Sequence, residues 1–186
     1  MKFGVAVLLV ICLLSGCSQK NDRLRQATEL RNSILASSSC NFEAIITADY
    51  EDVIYSFQMD CHVDEKGNLS FYVKDPETIS GITGQISKEN AALTFDDKIL
   101  AFPLLADGQL TPVSAPWIFY STLRSGYISG CNRNDDGLCL YIDDSYEENP
   151  LHLEIYTDSQ LRPIHADFFW NQQRILSSDI RNFTLQ

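Results

Sequence analysis

Residues 40–63, CNFEAIITADYEDVIYSFQMDCHV, contain two stretches in which apolar and polar side chains alternate, separated by polar residues around Tyr50. Such alternation is typical of strands with one buried face and one solvent-facing side. If the chain reverses at Tyr50 and Glu51, every facing pair on one side is apolar. These pairs are Ala48 with Val53, Ile46 with Tyr55, Ala44 with Phe57, Phe42 with Met59, and Cys40 with Cys61. The stretch therefore predicts an antiparallel hairpin that buries one face.

The alternating pattern continues beyond this hairpin. After the turn residues 65–68, a third strand over 69–74 places Leu69, Phe71 and Val73 opposite Val63, Cys61 and Met59. Pro112 and Pro116 introduce an amphipathic segment, residues 117–123, that predicts one or two helical turns. Further strands are predicted over residues 82–86, 91–95, 99–102, 138–142, 151–157, 164–170 and 174–183.

A helix is predicted before the hairpin. Leu24, Ala27, Leu30 and Ile34 recur at intervals of three and four residues, after a capping residue, Asp22, and before three serines at 37–39. An apolar stripe of this kind needs a sheet to cover. We therefore expect residues 22–186 to form a single, mainly β (α+β) domain: an antiparallel sheet with an N-terminal helix and a short helical insert.

The first 17 residues have the layout of an export signal. Lys2 is followed by an apolar run over 5–14, which is too short to span a bilayer comfortably, and then by Ser15, Gly16 and Cys17. Residues 14–17, Leu-Ser-Gly-Cys, resemble the lipobox of bacterial lipoproteins. The resemblance implies that residues 1–16 are removed, that the thiol of Cys17 is acylated, and that residues 17–21 form a lipidated tether. Plain secretion, or an apolar helix with a chance cysteine, is the alternative.

The charge of the chain limits its partners. Fourteen basic and 25 acidic residues give a net charge of −11, and removal of residues 1–16 leaves −12 because Lys2 is lost. This balance excludes nucleic acid as an expected partner. Lys20, Arg23, Arg25 and Arg31 cluster just after Cys17, where they could face anionic headgroups or form an ordinary solvated helix face.

Four cysteines remain after Cys12 and Cys17. In an oxidising compartment we expect Cys40 and Cys61 to form a disulfide, because the predicted hairpin places them directly opposite each other. A second bridge between Cys131 and Cys139 could close the turn-rich residues 132–138. The alternative is a set of free buried thiols.

Few residues point to chemistry. Residues 132–137, Asn-Arg-Asn-Asp-Asp-Gly, with Asp143 in the twelfth position, resemble the start of a calcium loop, yet a turn closed by a disulfide explains them equally well. The histidines at 62, 152 and 165 lack the short spacing of a zinc site. There is no glycine-rich phosphate loop and no nucleophile elbow. We therefore expect no metal, no cofactor and no enzymatic activity, unless the fold brings His and carboxylates into one cleft.

A helix followed by an antiparallel meander with a short helical insert, behind a lipobox, resembles the LolA/LolB-like lipoprotein-carrier family. Residues 161–164, 168–174 and 180–183 are similar to the terminal strands of that family. The resemblance implies a curved half-barrel whose apolar concave face, covered by helices, receives acyl chains. The chain departs from the family in its four extra cysteines and its acidic charge.

These observations predict a lipid-anchored binding module on the extracytoplasmic face of a bacterial membrane. The expected ligand is a lipid or another apolar molecule, bound on the apolar face of the sheet. That face carries Phe42, Ile46, Tyr55, Phe57, Met59, Phe71 and Val73. The alternative is a structural or interaction subunit of a cell-envelope protein complex, because a sheet whose face is filled by its helix shows the same pattern.

Overall fold

The computed structural model describes residues 22–49, 54–88, 90–95, 98–101, 105–106, 109–134 and 136–186. The predicted signal segment, Cys17, Lys20, the hairpin turn at Tyr50 and Glu51, and the predicted strand end at Phe102 lie outside these residues.

The described part of the chain begins with a helix and ends with a strand. Helix α1 covers residues 22–36, and α2 covers Ala115–Ser125 after a 3₁₀ turn at Pro112–Ser114. The strands before α2 are β1 Cys40–Asp49, β2 Ile54–Val63, β3 Leu69–Asp75, β4 Thr83–Ile86, β5 Ala91–Phe95, β6 Lys98–Ala101, β7 Leu105–Ala106 and β8 Gln109–Leu110. Those after it are β9 Tyr127–Arg133, β10 Leu138–Asp143, β11 His152–Thr157, β12 Pro163–Trp170 and β13 Gln173–Leu185.

Eleven of these strands form one antiparallel sheet. Its order is β6-β5-β4-β3-β2-β1-β13-β12-β11-β10-β9, so the first and last strands of the chain are neighbours near its middle. The sheet is open and curved, with β6 and β9 at its edges, while β7 and β8 pair separately. The predicted fold class, a curved antiparallel sheet with an N-terminal helix and a short helical insert, is confirmed.

The predicted register of the β1–β2 hairpin is wrong by two residues. Ala44 pairs with Met59 rather than with Phe57, and Cys40 pairs with Val63 rather than with Cys61. A displacement of two keeps every side chain on its predicted face, because the strand period is two. The alternation of side chains therefore predicts the face but not the partner. The β2–β3 register is as predicted.

The helices differ from their predicted forms in detail. In α1, Ala27, Leu30 and Ile34 are buried, but Leu24 is 50% exposed and does not extend the apolar stripe. Helix α2 has 11 residues, longer than the predicted segment 117–123. Strand β9 is absent from the prediction, because it is an edge strand with mostly exposed side chains and no clear alternation.

Both helices contribute to the core on one face of the sheet. At its centre, the ring of Phe119 from α2 lies 5.6 Å from that of Phe42 on β1, in an edge-to-face arrangement. The ring of Phe183 on β13 lies 6.4 Å from Phe119 and 6.1 Å from Phe42. Aromatic contacts of this geometry add to the stabilisation from buried apolar area. In the described part of the chain, no helix combines the length and the hydrophobicity needed to cross a bilayer.

Gly84 on β4 makes room for an aromatic ring. It pairs with Phe71 on β3, and a Cβ at this position would lie 2.2 Å from Phe71 Cζ and 2.9 Å from the carbonyl oxygen of Ala92. No side chain fits while the Phe71 ring keeps its place, because protein interiors are close-packed.

We therefore expect Gly84→Ala to lower the free energy of unfolding by about 1–3 kcal/mol, the usual cost of overpacking. Urea unfolding followed by circular dichroism measures this change. Gln85→Ala, an exposed neighbour on the same strand, is the matched control and should leave the midpoint nearly unchanged. Equal stability of Gly84→Ala and wild type would mean that the Phe71 ring is free to move aside.

Candidate functional site

The residues predicted to bind an apolar ligand lie mostly in the core. Six of the seven are less than a tenth exposed: Phe42, Ile46, Phe57, Met59, Phe71 and Val73. Tyr55, at the start of β2, is 56% exposed. Because Phe119 of α2 packs on Phe42, this part of the apolar face is filled by the helix. These six side chains therefore belong to the core, although Phe42 and Phe71 also help to line a cavity of about 660 Å³.

Cys40, Cys61, Cys131 and Cys139 are free thiols in this structure. The disulfides Cys40–Cys61 and Cys131–Cys139 stay predictions. Cys40 pairs with Val63, and Cys61 lies two positions before Val63 on the same strand. Cys40 and Cys61 are therefore diagonal neighbours. Cys131 pairs with Leu140 and Cys139 with Asn132, so these two thiols leave opposite faces of the sheet.

Burial keeps the cysteines protonated. It raises the pKa of Cys40 to about 12 and the pKa of Cys61 well above its ordinary value. Burial also raises the pKa values of Cys131 and Cys139. Because the thiolate is the reactive form, these raised pKa values lower the reactivity of the four thiols.

A cavity of about 520 Å³ lies beside α2. Its apolar lining comes from Trp117, Ile118 and Tyr120 of the helix and from Leu151 before β11. Three cations also line it: Lys66, Lys88 and Arg124. This volume lies in the range of small-molecule sites.

The helix and the β2–β3 turn form the framework of this cavity. Trp117 Nε1 donates a hydrogen bond to the carbonyl oxygen of Gly67 at 3.1 Å. The guanidinium of Arg124 lies 3.5 Å from the carbonyl oxygen of Glu65. Gly67 has φ +84, the left-handed region that glycine adopts easily, and the carboxylate of Asp64 accepts backbone N–H bonds at 2.9 Å to fix the turn.

The cavity joins distant parts of the sheet. Gly67 belongs to the β2–β3 turn, whereas Asp144 and Leu151 belong to the β10–β11 connection. These strands are far apart in the sheet order, so the sheet must curve around α2 for them to line one space. The sequence analysis missed this site, because Lys66, Lys88 and Arg124 stand too far apart to form a local motif.

The opposite face of the sheet carries histidines beside carboxylates. His165 Nδ1 lies 2.6 Å from Asp179 Oδ1, and its Nε2 lies 3.4 Å from Asp167 Oδ1. Arg174 donates to Asp167 at 3.2 Å. Because both ring nitrogens of His165 face carboxylates, neither is open to a substrate as a general base.

A second histidine–carboxylate pair joins strands β10 and β11. His152 Nδ1 lies 2.7 Å from Asp143 Oδ1, and its ring stacks on Tyr141. His152, Glu154 and Phe169 help to line a cavity of about 510 Å³. Asp143, the proposed twelfth residue of a calcium loop, is thus engaged with His152. In the residues that the structure describes, no group of three or more His, Cys, Asp or Glu side chains is arranged to hold a metal ion.

Comparison with known proteins gives similarities of structure alone. No protein-family model matches the sequence, and the comparison with curated proteins finds no match. The chain is similar to the structure of an uncharacterized conserved protein from Thermus thermophilus, at 11% identity and a TM-score of 0.49, over 86% of this chain and 87% of that one.

Two further structures are similar to it. One is a LolA superfamily protein from Nitrosomonas europaea, at 9% identity and a TM-score of 0.44, over 86% of this chain and 93% of that one. The other is the Mycobacterium tuberculosis lipoprotein LppX, at 12% identity and a TM-score of 0.41, over 87% of this chain and 93% of that one. At these identities and TM-scores, the similarities assign no ligand, activity or partner to this chain.

The His165 cluster should make stability depend on pH. Hydrogen bonding to Asp167 raises the pKa of His165, burial opposes this rise, and hydrogen bonding to Asp179 adds to it. A histidine with a raised pKa stabilises the fold fully below its unfolded pKa of about 6.5 and loses that contribution as pH rises through the folded pKa.

We expect His165→Gln to remove part of the decrease in melting temperature as pH rises above about 6.5. Thermal unfolding at a series of pH values measures this slope. Gln85→Ala, at an exposed position on β4 away from the cluster, is the control and should keep the wild-type slope. An unchanged slope in His165→Gln would contradict the assignment.

Proposed function

We propose that this chain is a non-enzymatic, membrane-anchored binding protein of the bacterial cell envelope, and that its ligand site is the cavity beside α2. The observation that carries the proposal is the cavity of about 520 Å³, which is lined by the half-buried Trp117 and by the buried side chains Ile118, Tyr120 and Leu151. Concave sites with apolar walls and a few polar groups are the usual form of small-molecule sites. The proposed ligand site is therefore beside α2, and no longer on the buried strand residues that the sequence pattern indicated.

The framework of the cavity supports a binding site that is already formed in the absence of ligand. The hydrogen bond from Trp117 Nε1 to Gly67 satisfies the indole N–H and leaves the flat, half-buried ring to contact an apolar molecule. A ligand there would not displace Phe119 from Phe42, so the core could stay intact. Binding would therefore require little reorganisation of the protein.

Membrane attachment through Cys17 completes the proposal. Only residues 18–21 separate Cys17 from the start of α1, and they reach about 14 Å when extended. Arg23 Nη1 lies 3.4 Å from Asn132 Oδ1 on β9, so the helix begins beside that edge strand. A lipid on Cys17 would therefore hold the β9 edge of the sheet close to the headgroups.

Purification of the full chain from its membrane in mild detergent, followed by native mass spectrometry, tests the ligand site. We expect a population that carries one bound apolar molecule, and we expect Trp117→Ala to reduce that population at least fivefold. Tyr72→Ala removes an exposed aromatic ring on the other face and is the matched control.

Absence of any bound molecule in the wild type would contradict the proposed site. It would favour a second function, a structural or interaction subunit of an envelope protein complex. The burial of six of the seven predicted binding residues is the observation that favours this second candidate.

Cys17→Ser tests the anchor separately. We expect wild type to fractionate with membranes and to have the mass of residues 17–186 plus lipid, and we expect the variant to leave the membrane fraction. A single acyl chain holds a protein only weakly, so the multiple acylation that the lipobox resemblance implies should give firm attachment. Wild-type protein that retains residues 1–16 and an unmodified Cys17 thiol would contradict the anchor.

A further inference from the structure

We propose that the cavity beside α2 selects ligands that carry an anionic group, a phosphate or a carboxylate, on an apolar body. The inference rests on the proposed ligand site and adds the chemical class of the ligand. It comes from the unusual charge of this cavity within a strongly acidic chain.

The cavity concentrates positive charge. Fourteen basic residues stand against 25 acidic ones in the chain, yet Lys66, Lys88 and Arg124 converge here from the β2–β3 turn, the β4–β5 turn and α2. One carboxylate, Asp144, also lines the cavity among the described residues. Its Oδ1 accepts the backbone N–H of Leu151 at 2.9 Å, so part of its capacity is used within the β10–β11 connection.

Some basic residues elsewhere in the fold are paired with carboxylates. Lys74, Arg162 and Arg174 each lie within 3.2 Å of a carboxylate. Within the described ranges, by contrast, Lys66, Lys88 and Arg124 form no ion pair within 4.0 Å. The nearby carboxylate of Asp64 is held by the N–H groups of its own turn, at Lys66 and Asn68.

The arrangement of the cations suits one anion. Arg124 extends from a fixed helix and contacts the Glu65 carbonyl only at 3.5 Å, so most of its donors are left for an anionic oxygen. A guanidinium binds phosphate or carboxylate through paired hydrogen bonds, and lysines add point charges on flexible stems. Lys66 and Lys88 are exposed and able to close on such a group.

The apolar wall suits the rest of the ligand. The ring of Trp117 and the side chains of Ile118 and Leu151 line the same cavity as the cations. Free phosphate would leave the half-buried ring of Trp117 in contact with water, whereas an anion attached to an apolar chain or ring would cover that ring. We therefore expect both parts of the ligand to contribute to affinity.

Titration calorimetry with three probes tests the proposal. Two are dodecyl phosphate and the neutral dodecyl maltoside, both below their critical micelle concentrations, and the third is inorganic phosphate. We expect wild type to bind dodecyl phosphate at least tenfold more tightly than either of the others, with weaker binding at higher salt. Equal affinity for the two dodecyl compounds would overturn the anion selectivity and leave the proposed ligand site standing. Equal affinity for inorganic phosphate and dodecyl phosphate would overturn the role of the apolar body.

Variants assign the selectivity to these side chains. We expect Lys66→Gln/Lys88→Gln, at two exposed positions, to lower dodecyl phosphate affinity at least threefold, and the further change Arg124→Gln to remove the preference over dodecyl maltoside. Lys74→Gln/Lys98→Gln removes the same charge elsewhere and should bind as wild type does. If both double variants lose affinity equally, the effect is one of net charge and the proposal fails. If wild type binds none of the probes, the proposed ligand site fails as well.

Discussion

The pairing of β1 with β13 is the constraint on which the rest of the structure depends. These strands come from the two ends of the described chain, and their ladder runs from Cys40 opposite Leu185 to Ala48 opposite Leu176. Ser38 and Ser39 extend it by donating to the carbonyl oxygen of Gln186. All strands on one side of this ladder follow as a meander from β1, and those on the other side lead back from β13.

Loss of the ladder would divide the sheet into two smaller sheets, each with a newly exposed edge. Because contacts between such distant segments close long loops, the ladder also gives the fold a large share of its non-local contacts.

The sequence contains much of this architecture, but not the choice of neighbours. Alternation in residues 40–63 identifies two strands and their buried face, because each inward position is apolar and most outward ones are polar. It cannot separate pairings that differ by two residues, and the structure has Ala44 opposite Met59 where the pattern alone favoured Phe57. Nor does alternation show that β13 pairs with β1, because that choice depends on the closure of the whole chain. Strand β9 has too few apolar positions to be recognised as an edge strand.

The candidate site was harder to predict than the fold. The apolar face of the sheet is evident from the sequence, but its occupant is not, because Phe119 lies on a helix that the pattern predicts to be shorter. Whether an apolar face is a core or an open cavity depends on what packs over it, which is a property of the tertiary structure. Similarly, Lys66, Lys88 and Arg124 become neighbours only because the sheet curves around α2. No spacing in the chain shows this convergence.

Cys40 and Cys61 lie on the neighbouring strands β1 and β2, near the middle of the sheet, and both are buried. Burial raises the pKa of Cys40 and Cys61, so little thiolate is present at neutral pH. Oxidants and alkylating agents react with the thiolate, so Cys40 and Cys61 should react slowly with them while the sheet is intact. The β1–β2 pair is held by backbone hydrogen bonds and apolar packing without a covalent link. The ten facing residue pairs of this ladder therefore fix how the two strands align without help from the thiols.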